Sequence, residues 1–600
     1  MNITKIKRTF DFLTQAEEKF PTDVALAVKR NGRWETFSTR DYRTNVDNIS
    51  MGLIEMGFQK GDKIATVSNN RPEWNFMDFG MAQIGCVHVS IYPTISLDEY
   101  RHILSHSDSR LLIVSDRQLY DNLKHFVKEM DNLEAIYSLD EIKNVKNWKE
   151  IADLGAENEP QLRAELERRK VEVSEDDLLT LIYTSGTTGL SKGVMLTHKN
   201  IVSNVFMAQD YLANVKPGDK ALSFLPLCHI LERTGNYVWQ SVGMSIYYAE
   251  NIDTIIDNLK EIKAHAFITV PRVFEKIYDK IILMGRELTG VKKRIFFWSV
   301  GVGDAFDPNP KNRSFLYNAK LALARKLVLD KWRKALGGSL KGVISGGAAL
   351  QPRLARIFWA AGIFVQEGYG LTETSPVVAA NKCFYPEVRF GWVGVLAKGV
   401  TVKIADDGEV LVKGDNVMQG YYKDPKKTKE TIDKDGWLHT GDIGELDEMN
   451  MLRITDRKKE IFKLSGGKYV APQMIENVFK ESMFIEQLMV IGENQKLTAA
   501  LIVPNFEYLY NWCFLHHVTY RDNTDLIQKP KVIERYQEEV DKYNKTLGHT
   551  EQIKLFRLVN ENWTPETGEL APTLKLKRKI IAEKYKNLIE EIYPTENGEI

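Results

Sequence analysis

Short apolar runs bounded by turns recur along this 600-residue chain, and segments with helical patterns separate them. The runs include KIATVS, LLIVSD, LTLIYTSG and KGVISGG, and the helical patterns include SLDEYRHILSHS and PRLARIFWAAG, the latter ended by Gly362. Strands that alternate with helices predict parallel sheets covered by helices on both faces. Because 600 residues exceed one compact core, we expect an α/β protein with several lobes.

The pattern changes after Gly399. VTVKIADDGEVLVKG is typical of a β-hairpin that turns around Asp407 and Gly408, and IGELDEMNMLRITDR is typical of another. These segments predict a small β-rich lobe, at about 399–455, that completes a large N-terminal domain of residues 1–455.

A charged run and a glycine pair follow, in DRKKEIFKLSGGKYVAP. Such a composition favours a hinge, which we place at 456–463. Beyond it, PQMIENVFKES, QLMVIG and LTAALIVP predict a helix and two strands. We therefore expect a mobile α+β C-terminal domain at 464–600.

The overall charge does not favour a polyanionic partner, because 81 Lys and Arg residues balance 81 Asp and Glu residues. The N-terminal segment lacks the apolar core of a signal peptide, and no apolar run approaches the length of a membrane span. Four scattered cysteines without CxxC spacing favour a reducing compartment. We expect a cytoplasmic protein that does not bind nucleic acid.

One segment allows two interpretations. KKRIFFWSV, residues 292–300, joins three cations to three aromatic side chains. Packing of a buried helix explains this pattern simply, whereas a peripheral contact with the inner face of a membrane is the sharper hypothesis.

The stretch IYTSGTTGLSKG follows an apolar strand, so it leaves a sheet where α/β folds bind ligands. Its glycines permit close approach of the backbone, and its hydroxyl groups and lysine can donate to phosphate oxygens. The spacing excludes a Walker A loop, because Gly186 and Gly189 are three apart and Gly193 follows Lys192. The candidate phosphate-binding residues are Thr184, Ser185, Gly186, Thr187, Thr188, Gly189 and Lys192.

The longer segment YTSGTTGLSKGVMLTH resembles the signature loop of the adenylate-forming superfamily, which includes acyl-CoA synthetases, luciferases and peptide-synthetase adenylation domains. EGYGLTETSP resembles the second ATP motif of that superfamily. There Tyr369 can stack on a purine, Thr372 can bond the α-phosphate, and Glu373 can bind Mg²⁺ together with Thr184. ISGGAAL resembles the strand and turn beside the adenine. The resemblance thus adds Gly346, Gly347, Glu367, Gly368, Tyr369, Gly370, Thr372 and Glu373 to the ATP-binding set, with Glu367 facing the adenine amino group.

Later motifs resemble the nucleotide and hinge elements of the same superfamily. GWLHTGDIG resembles the ribose motif, in which Asp442 would accept hydrogen bonds from both hydroxyls, and Arg457 matches an arginine that also reaches the ribose. The resemblance implies that Lys459 is the hinge about which the C-terminal domain rotates between half-reactions. Lys463 matches a lysine used near the nucleotide in relatives.

The segment APTLKLKRKI resembles the superfamily ending T-x-G-K-x-x-R, except that Leu574 replaces the glycine. The alignment implies that Lys575 is the catalytic lysine and Arg578 the trailing arginine. The leucine leaves Lys577 as a competing assignment.

The segment LPLCHILERTGNY resembles the LPL-x-H-x-x-ER segment of long-chain fatty acyl-CoA synthetases, in which the histidine, here His229, lies at the acyl-binding site. The resemblance implies that ATP and a long-chain fatty acid form an acyl-adenylate and pyrophosphate, and that CoA then takes the acyl group. Lys575, Thr372 and Glu373 would be catalytic. The alternatives are a ligase for a medium-chain, very-long-chain or aryl acid, an adenylation enzyme that loads a carrier protein, and a nucleotide-binding regulator. The sequence leaves chain length and the choice between monomer and homodimer open.

Overall fold

A computed structural model of the protein describes residues 6–184, 191–251, 253–564, 567–571 and 575–593. The chain divides into two compact units. The first contains the described residues of Met1–Lys403, Leu411–His439 and Asp447–Leu452, and the second contains those of Ile404–Val410, Thr440–Leu446 and Arg453–Ile600.

Helices occur throughout both units. In chain order they are α1 (Asp11–Lys19), α2 (Thr39–Glu55), α3 (Pro72–Gln83), α4 (Leu97–Ser107), α5 (Arg117–Leu123), α6 (Phe126–Glu129), α7 (Trp148–Glu157), α8 (Glu159–Glu172), α9 (His198–Gln209), α10 (Ile230–Ser241), α11 (Ile255–Ile262), α12 (Pro271–Glu287), α13 (Gly290–Asp304), α14 (Phe315–Ala324), α15 (Asp330–Ala335), α16 (Pro352–Ala360), α17 (Pro425–Thr431), α18 (Pro472–Phe479), α19 (Phe506–Leu515), α20 (Asn523–Leu526), α21 (Pro530–Asn544), α22 (Arg578–Lys584) and α23 (Lys586–Ile592). Short 3-10 helices lie at Pro310–Asn312 and Thr372–Thr374, and a π-helical segment lies at Arg325–Leu329.

The strands are β1 (Leu26–Arg30), β2 (Arg33–Phe37), β3 (Lys63–Val67), β4 (Val87–Ile91), β5 (Ser109–Val114), β6 (Ala135–Ser138), β7 (Leu178–Thr184), β8 (Lys192–Thr197), β9 (Lys220–Ser223), β10 (Ser245–Tyr248), β11 (Ala266–Thr269), β12 (Gly342–Ser345), β13 (Val365–Gly370), β14 (Val377–Ala380), β15 (Gly394–Leu396), β16 (Thr401–Ile404), β17 (Glu409–Lys413), β18 (Gly420–Tyr421), β19 (Leu438–Leu446), β20 (Met451–Arg457), β21 (Phe462–Lys463), β22 (Tyr469–Val470), β23 (Ile485–Ile491), β24 (Ala499–Pro504) and β25 (Leu555–Leu558). The hairpin patterns expected after Gly399 thus correspond to β16–β17 and β19–β20.

Local sequence signals explain where the helices begin and end. In α4 the Ser96 side chain accepts a hydrogen bond from the Glu99 N–H, and the helix ends at Asp108 in the left-handed region, at φ 56°. After α16, Gly362 adopts φ 75°, a conformation that glycine takes without strain. Both helical patterns cited from the sequence therefore form helices of the expected extent.

Two sheets organise the first unit. In the first sheet, the order of neighbouring strands includes β15-β14-β13-β12-β11-β9-β10-β1-β2. The strands listed from β13 through β1 pair in parallel. The flanking strands β2, β14 and β15 pair antiparallel with their neighbours. The other has the order β18-β8-β7-β4-β3-β5-β6, in which β7 to β6 are parallel and β8 and β18 are antiparallel. The apolar strands of this second sheet bury Val89, Leu112 and Leu181 completely. Burial on both faces explains why these strands read as continuous apolar runs.

The second unit has a core of its own. Strands β23 and β24 pair antiparallel, β25 joins β24 in parallel, and Phe479 of α18 and Tyr536 of α21 are buried with Leu501 of β24. The larger sheet-containing unit and the smaller α+β unit confirm the predicted α/β fold class. Among the described residues, no helix combines the length and apolar character that crossing a membrane requires.

Candidate active site

The candidate phosphate loop begins and ends on one antiparallel pair of strands. Thr184 is the last residue of β7, Lys192 is the first residue of β8, and the two residues are paired. The structure thus brings together the two predicted residues that border the loop. The other predicted loop residues, Ser185, Gly186, Thr187, Thr188 and Gly189, lie outside the described residues.

The second ATP motif occupies the end of β13 and the 3-10 helix that follows it. A Cβ atom on Gly370 would lie 1.6 Å from the carbonyl oxygen of Pro376, so only glycine fits there. The Thr374 hydroxyl accepts from the Leu371 N–H at 2.8 Å and donates to the Pro376 carbonyl at 2.6 Å. These bonds hold a tight turn that contains Thr372, which is 9% exposed, and the half-buried Glu373.

Glu373 has a partner that the sequence reasoning missed. The Tyr421 hydroxyl donates to Glu373 Oε1 at 2.8 Å, and Lys192 Nζ lies 5.7 Å from the centre of the Tyr421 ring. Strand β18 pairs with β8, which fixes Tyr421 opposite Val194. Burial, and then the neighbouring Glu373 carboxylate, raise the pKa of Tyr421, so its hydroxyl keeps the proton that it donates. Tyr421 therefore links the predicted metal ligand to the strand that begins with Lys192.

The predicted adenine segment lies where β12 and β13 run side by side, with Ser345 paired to Glu367. Gly347 adopts φ 81°, which favours glycine, and a Cβ atom on Gly346 would lie 3.1 Å from the Leu231 side chain. The backbone at Gly347 therefore favours glycine, and a side chain at Gly346 would require Leu231 to shift. Gly368 and Tyr369 follow Glu367 on β13 and are partly exposed.

The Glu367 carboxyl is buried, at 5% exposure, and Oε1 accepts a hydrogen bond from the Leu350 N–H at 2.9 Å. Burial raises the pKa of Glu367 to about 8, against the smaller opposite effect of that hydrogen bond. At neutral pH the carboxyl is therefore mostly protonated, and can act as a donor as well as an acceptor. Its predicted contact with the adenine amino group remains a prediction.

His229 caps helix α10. Its Nδ1 accepts a hydrogen bond from the Leu231 N–H at 3.1 Å, and its ring centre lies 6.4 Å from that of Tyr92. In the neutral imidazole the proton is consequently on Nε2. One turn later, the Thr234 hydroxyl donates to the Ser375 carbonyl at 3.1 Å, which joins α10 to the second ATP motif. The predicted acyl-site histidine and the predicted ATP motif are thus tied by one helix.

The same helix carries an unusual carboxyl group. Glu232 is 1% exposed, the nearer of its oxygens lies 3.4 Å from Asn236 Nδ2, and Oε2 has no hydrogen-bond partner among the described residues. Burial raises the pKa of Glu232 from its ordinary 4.5 to about 8, although hydrogen bonds from Ser223 and Asn236 oppose the shift. The neighbouring Tyr248 has a pKa well above its usual value and stays neutral.

The raised pKa of the Glu232 carboxyl predicts that the folded protein loses stability as the pH rises. The pKa of Glu232 in the folded state exceeds its unfolded value. Its contribution to the free energy of unfolding is therefore fully present below about pH 4.5 and is lost as the pH rises through about 8. We expect Glu232→Gln to raise the thermal midpoint at pH 8.5 and to change it little at pH 5.0, with a difference in stability of up to roughly 5 kcal/mol. Glu55→Gln, at an exposed position of α2, is the matched control. Parallel pH profiles for wild type and Glu232→Gln would contradict the assignment.

The predicted ribose residues lie close together in the second unit. Asp442, on β19, is 4% exposed, and its Oδ1 lies 3.4 Å from Nε of Arg457, at the end of β20. Next to them, Glu409 accepts hydrogen bonds from the Gly441 N–H at 2.9 Å and from Lys458 Nζ at 2.8 Å. Glu409 therefore stabilises the turn at Gly441 that precedes Asp442, a contact that the sequence did not predict.

The structure places the three predicted lysines of the second unit on separate segments. Lys459 is exposed in the turn after β20, and Lys463 is exposed on β21 with Nζ 5.6 Å from the ring centre of Tyr469. Lys575 is exposed before α22, and its carbonyl accepts from the Ala571 N–H at 2.8 Å. Lys577 is half-buried.

The side chains also bear on the predicted Mg²⁺. Among the residues that the structure describes, no group of three or more His, Cys, Asp or Glu side chains could form a complete metal site. Mg²⁺ does not need one, because it commonly binds one or two carboxylates, several waters and the phosphates of the substrate. A single oriented carboxylate such as Glu373, joined through Tyr421 to the strand that begins with Lys192, fits that mode.

Comparisons with known proteins identify the family of this chain. The family model described as AMP-binding enzyme matches residues 13–422, and that described as AMP-binding enzyme C-terminal domain matches residues 459–597. The long-chain-fatty-acid–CoA ligase FadD15 of Mycobacterium bovis is 34% identical over 94% of each chain. Fatty acyl-CoA synthetase A of Dictyostelium discoideum is 31% identical over 95% of this chain and 87% of its own. The chain therefore belongs to the AMP-binding enzyme family, in its long-chain-fatty-acid–CoA ligase branch.

Solved structures support the fold. The anthranilate CoA ligase AuaEII, crystallised with anthranoyl-AMP, has a TM-score of 0.73 at 17% identity and covers 98% of this chain. A fatty acyl CoA synthetase of Mycobacterium tuberculosis has a TM-score of 0.59 at 20% identity and covers 97%. At these identities the likeness establishes the architecture, and the sequence relatives establish the branch.

Proposed function

We propose that this protein is an AMP-forming ligase that joins long-chain fatty acids to CoA through an acyl-adenylate. The observation that carries the proposal is the arrangement of Glu373, Tyr421 and Lys192 beside the strand end at Thr184, in a chain with curated relatives named as long-chain-fatty-acid–CoA ligases. Helix α10 adds His229, in the segment that resembles the acyl-binding motif.

In the first step, a carboxylate oxygen of the fatty acid attacks the α-phosphorus of ATP, and the bond from that phosphorus to the pyrophosphate oxygen breaks. A carboxylate is ionised at neutral pH, so this step needs no general base. The obstacle is repulsion between anions, which Lys192, Lys575 and the donors of the phosphate loop would reduce. Glu373, with Thr184, would hold Mg²⁺, and the cation would supply further neutralisation of phosphate charge.

In the second step, the thiol of CoA loses its proton to solvent, its sulfur attacks the acyl carbonyl carbon, and AMP leaves with the electron pair of the broken C–O bond. Asp442 and Arg457 would hold the ribose through both steps. Lys459 would serve as the hinge residue for a change of conformation between the steps, and Lys463 would act near the nucleotide in the second. Conformational steps of this kind often limit turnover.

The proposal is tested by the release of pyrophosphate from ATP with a series of acids. We expect a maximum among long-chain fatty acids and the formation of acyl-CoA only when CoA is present. Maximal release with short, very long or aryl acids would instead assign another carboxylate, and acyl transfer to a carrier protein rather than to CoA would assign the loading function. Nucleotide binding without any release would overturn the enzymatic proposal.

The Tyr421 contact gives a prediction about the Mg²⁺ requirement. Tyr421→Phe removes the hydrogen bond that orients the Glu373 carboxylate. A hydrogen bond to a charged group contributes roughly 1.5–3 kcal/mol, so we expect adenylate formation to fall by roughly 10- to 100-fold. We also expect half-maximal activity to need more Mg²⁺, which a general loss of stability would not cause. Tyr422→Phe is the matched control, because that neighbouring hydroxyl donates to Asp108 instead; equal effects of the two variants would contradict the role of Tyr421.

A further inference from the structure

Exposed apolar side chains concentrate on one part of the first unit. Of 22 large hydrophobic side chains exposed among the described residues, eight lie between residues 284 and 327. Helix α14 exposes Phe315 at 90%, Leu316 at 65% and Leu323 at 50%, and α13 exposes Val291, Phe297 and Trp298. Clustered exposed apolar side chains mark an interaction surface, whereas single ones do not. We call the outer sides of α13 and α14, with these six residues, the α13–α14 face.

The packing of the two helices explains why this face remains exposed. On the inner side of α13, Phe296 packs so closely against Gly285 that a Cβ atom there would lie 2.0 Å from its ring. On α14, Leu321 and Ala324 are buried, and the Tyr317 hydroxyl donates to the Val302 carbonyl at 2.8 Å. Both helices therefore have a packed inner side, and their outer apolar side chains are not needed for the core.

The charge of this segment is strongly one-sided. Residues 284–327 contain nine Lys and Arg against three Asp and Glu, in a chain whose net charge is zero. From Lys311 to Leu329 there are five Lys and Arg, among them Lys320 and Lys326, and no acidic residue. One of the acidic residues, Asp304, is paired with Arg353, outside the segment. The face thus combines exposed aromatic and aliphatic groups with an excess of cations.

We propose that the α13–α14 face docks on the surface of an anionic lipid bilayer. Basic residues near such a surface are attracted to its headgroups, and exposed Phe, Trp and Leu side chains gain free energy where headgroups meet acyl chains. A second copy of this chain is the less suitable occupant, because a two-fold interface would place the same cationic segment against itself. In the KKRIFFWSV segment, Phe296 is buried, as packing of the helix predicts, whereas Phe297 and Trp298 are exposed, as a membrane contact would require.

The experiment is sedimentation of the full chain with vesicles of phosphatidylcholine, with and without phosphatidylglycerol, in the absence of ATP and fatty acid. We expect binding to the anionic vesicles that weakens with salt. Lys320→Gln with Lys326→Gln should weaken it at least tenfold, because each basic residue near the surface contributes about fivefold. Phe315→Ser with Leu316→Ser should also weaken it, by removing groups that insert.

Phe514→Ser is the matched control, because Phe514 is 80% exposed on α19, outside the face. Equal binding to neutral and anionic vesicles, unchanged binding of both double variants, or no binding would overturn the proposal. Self-association that the face variants abolish, without vesicle binding, would assign the surface to a second copy and equally overturn it. Because the test needs neither substrate nor turnover, its failure is separate from a failure of the proposed ligase activity.

Discussion

In Lys575→Ala we expect the rate of acyl-adenylate formation to fall by roughly 10²- to 10³-fold. This is the usual effect of removing one preorganised group that stabilises charge in a transition state. The reason is that the carboxylate attacks the α-phosphorus in the first half-reaction, where a lysine can offset the charge that builds up on its oxygens, whereas the second half-reaction forms its new bond at the acyl carbon. When synthetic acyl-adenylate is supplied with CoA, the same variant should form acyl-CoA at nearly the wild-type rate. Pyrophosphate release measures the first step, and thioester formation from acyl-adenylate measures the second.

Lys577→Ala is the matched control for this prediction. Lys577 lies two residues further along, is half-buried, and its N–H donates to the Glu569 carbonyl, a bond that alanine keeps. Lys575 is exposed, and the adjacent Leu576 forms an isolated bridge with Leu570. Selective loss of adenylation in Lys577→Ala alone would transfer the catalytic assignment to Lys577. Equal loss in both half-reactions of Lys575→Ala would refute the division of labour.

The sequence predicted the elements that carry the site because their signals are local. Apolar runs predicted β7 and β12, helical patterns predicted α4 and α16, and Gly362 predicted the end of α16. Residues within one motif, such as Glu367 and Thr372, are near in space because they are near in the chain. The pairing of Asp442 with Arg457 could also be expected, since a hairpin brings its two strands together.

The contacts missed from the sequence join residues far apart in the chain. Tyr421 reaches Glu373 because β18 pairs with β8, and the GYYKDP segment by itself gives no sign of that pairing. Similarly, Glu409 supports the Gly441 turn across two strands. The protonation of Glu367 and Glu232 could not be expected either, since a shifted pKa depends on burial by the whole fold.

Arg233→Met should destabilise the first unit by roughly 3–5 kcal/mol, the usual cost of leaving a buried charge without its partner. Arg233 is completely buried, is ion-paired with Asp78, and donates to the Thr180 hydroxyl at 2.7 Å. Asp78 also accepts from the Tyr237 hydroxyl and, at 2.7 Å, from His88 Nδ1. Burial by itself would raise the pKa of Asp78, but Arg233 and these hydrogen bonds outweigh it and hold the pKa below its usual value.

The pH dependence distinguishes this explanation from a simple loss of packing. Without Arg233, burial would raise the pKa of Asp78 above its unfolded value, so the variant would keep more of its stability at low pH and lose it as the pH rises. The difference in thermal midpoint from wild type should therefore be larger at pH 8 than at pH 5. Adding Asp78→Asn should recover part of the loss, because it removes the unpaired charge. A deficit that is independent of pH, with no recovery in the double variant, would mean that Arg233 acts through packing.

The cluster around Arg233 and Asp78 also connects parts of the candidate site. We therefore expect its disruption to lower activity as well as stability. Arg233 and Thr234 are adjacent on α10: the first donates to Thr180 of β7, the strand that ends at Thr184, and the second donates to Ser375 of the second ATP motif. In the less destabilised Arg233→Lys variant, measured where it remains folded, we therefore expect a higher KM for ATP. Lysine keeps the charge but cannot make the forked contacts of the guanidinium. An unchanged KM for ATP in that folded variant would restrict the cluster to stability.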